Sequence, residues 1–243
     1  LLGCEKMNAK DLSIRLQKAA EFVPQDARLA DIGSDHAYLP VALMLQNKIS
    51  YSIAGEVVVG PYESAKRQAA KNGLENKIDV RLADGLEAVE LNDQISAITI
   101  CGMGGVLIRD ILQRGKEKAR LSGKERLILQ PNVGERQLRQ WLVAEGYTIT
   151  EEAIIEENQK VYELIVADKD LVQPDYTAKE LFFGPVLLKE KAPVFIKKWQ
   201  HKLSKMEKIL TSLHQSDQDV TEKIREVILE IEWIKEVLED AGK

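Results

Sequence analysis

Apolar and polar residues alternate along this chain in two different rhythms, and the change falls near residue 170. Before it, short apolar runs take turns with segments whose apolar positions recur every three or four residues, the pattern of strand–helix units in a parallel sheet. A helix is expected over 8–23, with Leu12, Leu16, Ala19 and Val23 on one face. Pro24 and Gln25-Asp26 end it, because proline has no N–H to continue the ladder. The first strand follows at about 28–32, then a helix at about 37–47 with Pro40 tolerated in its first turn. Ser50 to Glu56 reads as the second strand, followed by a helix at about 61–72 that stops at Gly73.

The third strand is Ile78 to Ala83, leading at once into Asp84-Gly85. Ile95 to Cys101 is the fourth, running into Gly102-Met103-Gly104-Gly105 and a helix to about 114. Arg126 to Gln130 is the fifth, followed by Pro131-Asn132 and a helix at about 134–145. Tyr147 to Glu156 and Lys160 to Asp168 are separated by Glu157-Asn158-Gln159 alone, too short a connection for a parallel crossover. These two form an antiparallel hairpin. The expected fold class is therefore α/β, a Rossmann-like, mostly parallel sheet with one reversed strand, over residues 8–168.

From 169 to 243 the grammar is different. A linker with Pro174, Gly184-Pro185 and Pro193 leads to two heptad helices. Ile196, Trp199, Leu203, Met206, Leu210 and Leu213 mark the seam of one, and Val220, Ile224, Val227, Ile231, Ile234 and Leu238 that of the other. The polar bend Gln215 to Asp219 forces them antiparallel, and Asp219 with Glu222 has capping-box spacing. A coiled-coil hairpin is expected, with a two-helix flap packed on the sheet as the alternative.

Composition narrows the class. With 243 residues, 44% hydrophobic and 30% charged, the chain can bury a full core. No apolar run approaches the ~20 residues that span a bilayer, so no membrane partner is expected. The start shows no charged segment followed by an apolar one, and six residues precede Met7, which are set aside from the fold reading. Cys4 and Cys101 have no metal-ligand spacing, so no metal is expected and a reducing, cytoplasmic setting fits.

Net charge is −5, against blanket nucleic-acid binding, but it is unevenly spread. Residues 109–139 hold nine basic residues against four acids, and 189–208 hold seven lysines against two glutamates. Residues 220–240 carry three basic and seven acidic side chains. Two basic stretches in an acidic protein suit an RNA enzyme with a localised footprint, or interhelical pairing.

The chemistry gathers at the strand ends. Leu29-Ala30-Asp31-Ile32-Gly33-Ser34 is a strand entering a tight turn with a single glycine, so the three-glycine dinucleotide fingerprint is not met. An acid there repels phosphate but suits an ammonium such as that of S-adenosylmethionine. Asp31, Glu56 and Asp84 end successive strands, and those ends share the edge where open sheets bind ligands. Glu56 is expected at the ribose hydroxyls, Asp84 at the adenine amino group and Asp31 at the amino-acid end. Gly33, Ser34, Gly85, Gly102 and Met103 complete the cofactor turn set. Gly104 and Gly105 leave room for a flat base, and Gln130 and Asn132 offer carboxamides that pair with adenine. Asn132 can equally cap the following helix. Cys101 is read as a buried small residue.

At this point the motifs resemble a known family. Asp31 to Pro40 (DIGSDHAYLP), Ala54-Gly55-Glu56, Gly60-Pro61, Ala83-Asp84-Gly85-Leu86, Gly102 to Gly105 and Arg126 to Asn132 are similar to the bacterial tRNA (adenine-22-N1)-methyltransferases. Gly184-Pro185, Lys189-Glu190-Lys191 and Phe195 to Trp199 resemble that family's entry into its C-terminal domain. The resemblance implies a class I methyltransferase fold, a coiled-coil-like C-terminal domain, S-adenosylmethionine as donor, S-adenosylhomocysteine as product, and a D-arm adenine of tRNA methylated at N1. Because the product ring is cationic, Asp35 is expected beside it, with His36 and Tyr38 lining the base pocket. Lys197, Lys198, Lys202 and Lys205 are expected at tRNA phosphates. Two rivals stand beside this reading. A nicotinamide oxidoreductase would be stabilised by NADH and not by S-adenosylhomocysteine, and an inactive RNA-binding module would hold tRNA without methyl transfer.

Overall fold

The computed structural model describes residues 12–169, 172, 174–215 and 219–242. The expected helical start at 8–11, the leader with Cys4, part of the expected linker and the centre of the 215–219 bend lie outside the described residues. The chain divides into two compact units, Leu1–Tyr176 and Thr177–Lys243.

In the first unit, α1 (Ile14–Phe22) starts at Ser13, whose hydroxyl accepts from the Leu16 N–H. Then come β1 (Ala27–Ile32), α2 (Tyr38–Leu45), β2 (Ile49–Glu56), α3 (Val59–Lys71), β3 (Ile78–Leu82), β4 (Ala97–Met103), α4 (Gly105–Glu117), β5 (Arg126–Pro131), α5 (Glu135–Ala144), β6 (Thr148–Glu157) and β7 (Lys160–Asp168). They form one seven-stranded sheet in the order β3-β2-β1-β4-β5-β7-β6. The pairs from β3 to β5 are parallel, and β7 runs antiparallel to both β5 and β6. Asn158 and Gln159, both left-handed, close the terminal hairpin as a two-residue turn whose twist matches its strands. The interior strands are apolar on both faces, as Leu29, Ala30, Ile98, Ile100, Leu127 and Leu129 show by complete burial.

One strand is displaced from its expected place. β4 covers Ala97–Met103 because its ladder begins where Leu29 of β1 lies opposite Ala97, and it extends until Met103 meets Pro131. Gly102 and Met103 therefore belong to a strand end and not to a loop. The register slips between Cys101 and Met103, where Gly102 takes a φ of +79°.

Beneath α5, Arg139 is fully removed from water between two carboxylates. Its Nε donates to Glu152 at 2.7 Å and its Nη2 to Glu163 at 2.6 Å. The guanidinium thereby ties the helix to both strands of the reversed hairpin.

The second unit contains α6 (Ala178–Phe183), α7 (Leu187–Glu190), α8 (Pro193–His214) and α9 (Thr221–Ala241). Residues 177–190, expected as linker, are ordered by apolar contacts. Thr177 and Glu180 form a reciprocal cap, and Phe182 and Phe183 pack with Phe195 and Trp199. The heptad seams meet as expected, with Met206, Ile231 and Ile234 buried. Pairs Lys191–Asp240 and Glu207–Lys235 show α8 and α9 antiparallel. The expected Asp219–Glu222 cap is replaced by an Asp219 carboxylate accepting from the Thr221 N–H, with Val220 at the cap position. No helix among the described residues is long and apolar enough to cross a membrane.

Candidate active site

The sheet order reverses at β1, which has β2 on one side and β4 on the other, so a crevice opens at the carboxyl ends of β1 and β4. Asp31 stands at its floor. It is buried, with the Ser34 hydroxyl donating to Oδ2 and the Thr99 hydroxyl to Oδ1, each at 2.6 Å. Burial outweighs these two bonds and raises its carboxyl to about 6. Each oxygen keeps a second lone pair for a cation. Cys101, close enough for the Asp31 charge to act on it, has its thiol pushed up by burial and is no nucleophile.

The turn above Asp31 has an unusual backbone. Gly33, Asp35, His36 and Ala37 all have positive φ, three of them with a Cβ. Gly33 suits its φ of +69°, and a Cβ there would stand 2.2 Å from the Met103 methyl, the movable end of that side chain. The backbone N–H groups of His36 and Asp35 lie close enough to the Glu56 carboxylate to favour its charged form. Glu56 is buried at the end of β2, and burial raises its pKa above the ordinary carboxylate value. Its Oε1 is buried with no hydrogen-bond partner among the described residues. Such an acceptor fits a ligand hydroxyl. Asp35 projects to solvent with His36 Nε2 at 3.4 Å, and the His36 and Tyr38 rings lie 5.5 Å apart. Asp35 and His36 lie in this turn, and Tyr38 is the first residue of α2.

Asp84 does not join the other two acids. It is exposed, and both its oxygens lie 3.2 Å from Arg114 Nη2. Gly85 beside it is buried at a φ of +58°, where a Cβ would stand 2.9 Å from Ile111.

On the other side of the crevice the carboxamides are engaged with the chain itself. Gln130 Oε1 accepts from Arg15 Nη1 and from the Gly102 N–H, both at 3.0 Å. Its Nε2 donates to the Pro131 carbonyl and to Asn132 Oδ1, while Asn132 Nδ2 donates to the Gly102 carbonyl at 2.8 Å. Asn132 does not cap α5, whose N-cap is Gly134. Gly104 precedes α4, and Gly105 packs on the Val133–Gly134 backbone with no room for a Cβ. Arg15 escaped the sequence reading because its partner is 115 residues away and nothing local marks it.

The basic run 109–139 is largely neutralised by folding. Arg109 pairs with Asp110, Arg114 with Asp84, Lys116 with Glu145, Lys118 with Glu87, Arg126 with Asp168 and Arg139 with two glutamates. On α8, Lys202 and Lys205 are exposed and enter no ion pair among the described residues. Among the described residues no group of three or more His, Cys, Asp or Glu is placed to hold a metal ion. A cleft of about 440 Å³ lies at the opposite edge of the sheet, lined by the paired residues Arg126, Glu151 and Asp168.

A sheet wound in both directions from β1, closed by a reversed hairpin strand, with an open-sided acid ending β2, defines a Rossmann-like methyltransferase. The comparisons agree in detail. The chain belongs to the tRNA (adenine(22)-N(1))-methyltransferase family, whose sequence model matches residues 29–236. It is 45% identical to the tRNA (adenine(22)-N(1))-methyltransferase of Bacillus subtilis over 239 residues, covering 96% of this chain and 99% of that one. The B. subtilis M1A22 tRNA methyltransferase crystal structure superposes with a TM-score of 0.87 at 45% identity, over 94% of this chain and 99% of that one. A Streptococcus pneumoniae structure in complex with S-adenosyl-L-methionine is 46% identical, with a TM-score of 0.84 over 94% of this chain and 100% of that one.

Proposed function

We infer that this chain transfers a methyl group from S-adenosylmethionine to N1 of the adenine at position 22, in the D-arm of tRNA, in the cytoplasm. The observation that carries the reading is the family match, which runs from the first strand to the last helix. The site residues fit the donor. Glu56, with its unpartnered buried oxygen, takes the ribose hydroxyls, and Asp31 faces the ammonium across the Gly33-Ser34 turn. Gly85, Gly102 and Met103 form the walls, and Asp84 reaches the adenine amino group once released from Arg114. When bound, the donor supplies a sulfonium methyl and leaves as S-adenosylhomocysteine.

Adenine N1 is unprotonated near neutral pH, so this chain has no proton to remove and its main task is alignment. Positioning of this kind contributes up to ~7–11 kcal/mol in favourable cases. Asp35 answers the positive charge that develops on the ring, and His36 and Tyr38 hold the base. Gly104 and Gly105 give the flat ring access. N1 lies on the pairing edge, so the adenine must be unpaired or turned out of its helix. Lys197, Lys198, Lys202 and Lys205 of α8 contact phosphates, which positions tRNA without reading its sequence.

The test is methyl transfer to a transcribed tRNA with adenine at position 22, against the same tRNA carrying guanine there. Labelled product only from the first, mapped to N1 of that adenine, is expected. Equal labelling of both would overturn the site assignment, and no labelling of either would overturn the activity.

A further inference from the structure

The network around Gly102 lies at the carboxyl ends of β4 and β5, and its central amide has no polar group left over for a ligand. Gln130 uses its oxygen twice and its amide nitrogen twice, all within the chain. Both backbone groups of Gly102 are gripped, its N–H by Gln130 and its carbonyl by Asn132. The grip falls on the slipped register of β4, at the one residue there in a left-handed conformation. The next residue, Met103, lies with its methyl against Gly33, over the cofactor turn.

An amide can be turned over at little steric cost, which would aim a nitrogen at the Gly102 N–H and lose that bond. The Pro131 carbonyl and Asn132 Oδ1, which accept from the amide nitrogen, oppose this, and so does Arg15. Its Nη1 donates to the same Gln130 oxygen, and a guanidinium can never accept. Arg15 is itself aimed by Glu157, 4.0 Å from Nε, and by the Tyr162 ring, 5.6 Å from Cζ. The reversed hairpin thus holds an arginine of α1, the arginine fixes an amide, and the amide fixes the strand end.

We propose that Arg15 is a positioning residue for methyl transfer: it acts through Gln130 on the Gly102–Met103 strand end and touches neither cofactor nor RNA. This rests on the methyltransferase reading above. An error of about 1 Å at a reacting centre costs up to about 100-fold in rate. Arg15→Ala should therefore lower single-turnover methylation at saturating donor by about 10- to 100-fold, with the KM for tRNA unchanged and S-adenosylhomocysteine affinity lowered by less than the rate. Arg15→Lys keeps a donor that cannot accept and should recover most of the loss.

Gln130→Glu is the second variant, since its carboxylate still accepts from Arg15 and Gly102 but cannot donate to Asn132. It should slow the same step and leave the KM for tRNA unchanged. Wild-type turnover in Arg15→Ala and Gln130→Glu would overturn the proposal. So would a loss of S-adenosylhomocysteine affinity as large as the loss of rate, which would make the whole effect one of donor binding, or a raised KM for tRNA with unchanged turnover, which would place it on the RNA. If Arg15→Ala fails to fold, the lysine and glutamate variants decide alone. An inactive wild type would instead remove the methyltransferase reading, so the two failures are distinguishable.

Discussion

The Thr99 hydroxyl donates to Asp31 Oδ1 at 2.6 Å, joining β4 to β1 across the point where the sheet changes direction. Burial still raises the Asp31 carboxyl from 3.8 to about 6. The folded protein therefore holds its proton more tightly than the unfolded chain. The stabilising contribution is complete below pH 3.8 and is lost as the pH rises through 6. A displacement of that size corresponds to roughly 3 kcal/mol. Asp31→Asn, which keeps partners for both hydroxyls, should gain in Tm relative to wild type as pH is raised from 4 to 7. A Tm difference independent of pH would show that Asp31 ionises normally. The same variant should bind S-adenosylmethionine more weakly at pH 7.5.

Glu56→Ala removes the acceptor proposed for two ribose hydroxyls. Hydrogen bonds to charged groups are worth ~1.5–3 kcal/mol each, so cofactor affinity should fall at least tenfold. Calorimetry with S-adenosylhomocysteine checks this, and an unchanged Kd would put the ribose elsewhere.

Asp35 is exposed and makes no bond that the fold needs apart from its approach to His36. Asp35→Asn should leave Tm and cofactor affinity as they are while slowing single-turnover methylation by about 100- to 1,000-fold, the usual loss of one preorganised electrostatic partner. Wild-type turnover on saturating tRNA would remove Asp35 from the reaction.

Replacing Lys197, Lys198, Lys202 and Lys205 with Gln tests the α8 footprint. Circular dichroism and cofactor binding should be unchanged. Affinity for tRNA should drop, and the slope of log K against log salt should flatten by roughly 0.7–0.9 for each phosphate no longer neutralised. A wild-type slope would mean that these lysines serve the helical pair alone.

The strands were legible because a parallel interior strand is apolar on both faces, so Leu127-Ile128-Leu129 can be little else. Asp31 and Glu56 were legible as acids at strand ends, where topology alone makes neighbours of distant residues. Pairing was not legible. Charge counted along 109–139 sees nine basic residues but not the acids from elsewhere that meet them, such as Asp84 and Glu145. For the same reason Arg139 reads as a surface residue of a helix, although Glu152 and Glu163 make it part of the core. Residues 177–190 read as linker because Gly184-Pro185 marks a break, while the aromatic packing of Phe182 and Phe183 depends on Phe195 and Trp199 further on.

The left-handed run Asp35-His36-Ala37 bears on how such an enzyme can adapt to heat. Left-handed backbone costs roughly 1–2 kcal/mol for each residue with a Cβ, and here three follow one another. Glycine at Ala37 would relieve part of that cost, and a relaxed turn most of it. Yet this run is what brings the N–H groups of Asp35 and His36 near Glu56 and leaves the Asp35 side chain exposed beside His36. Selection for thermal tolerance would find an accessible gain in this turn and meet a loss of turnover there, so lineages in warm habitats should stiffen the chain at other places and leave these three residues bent.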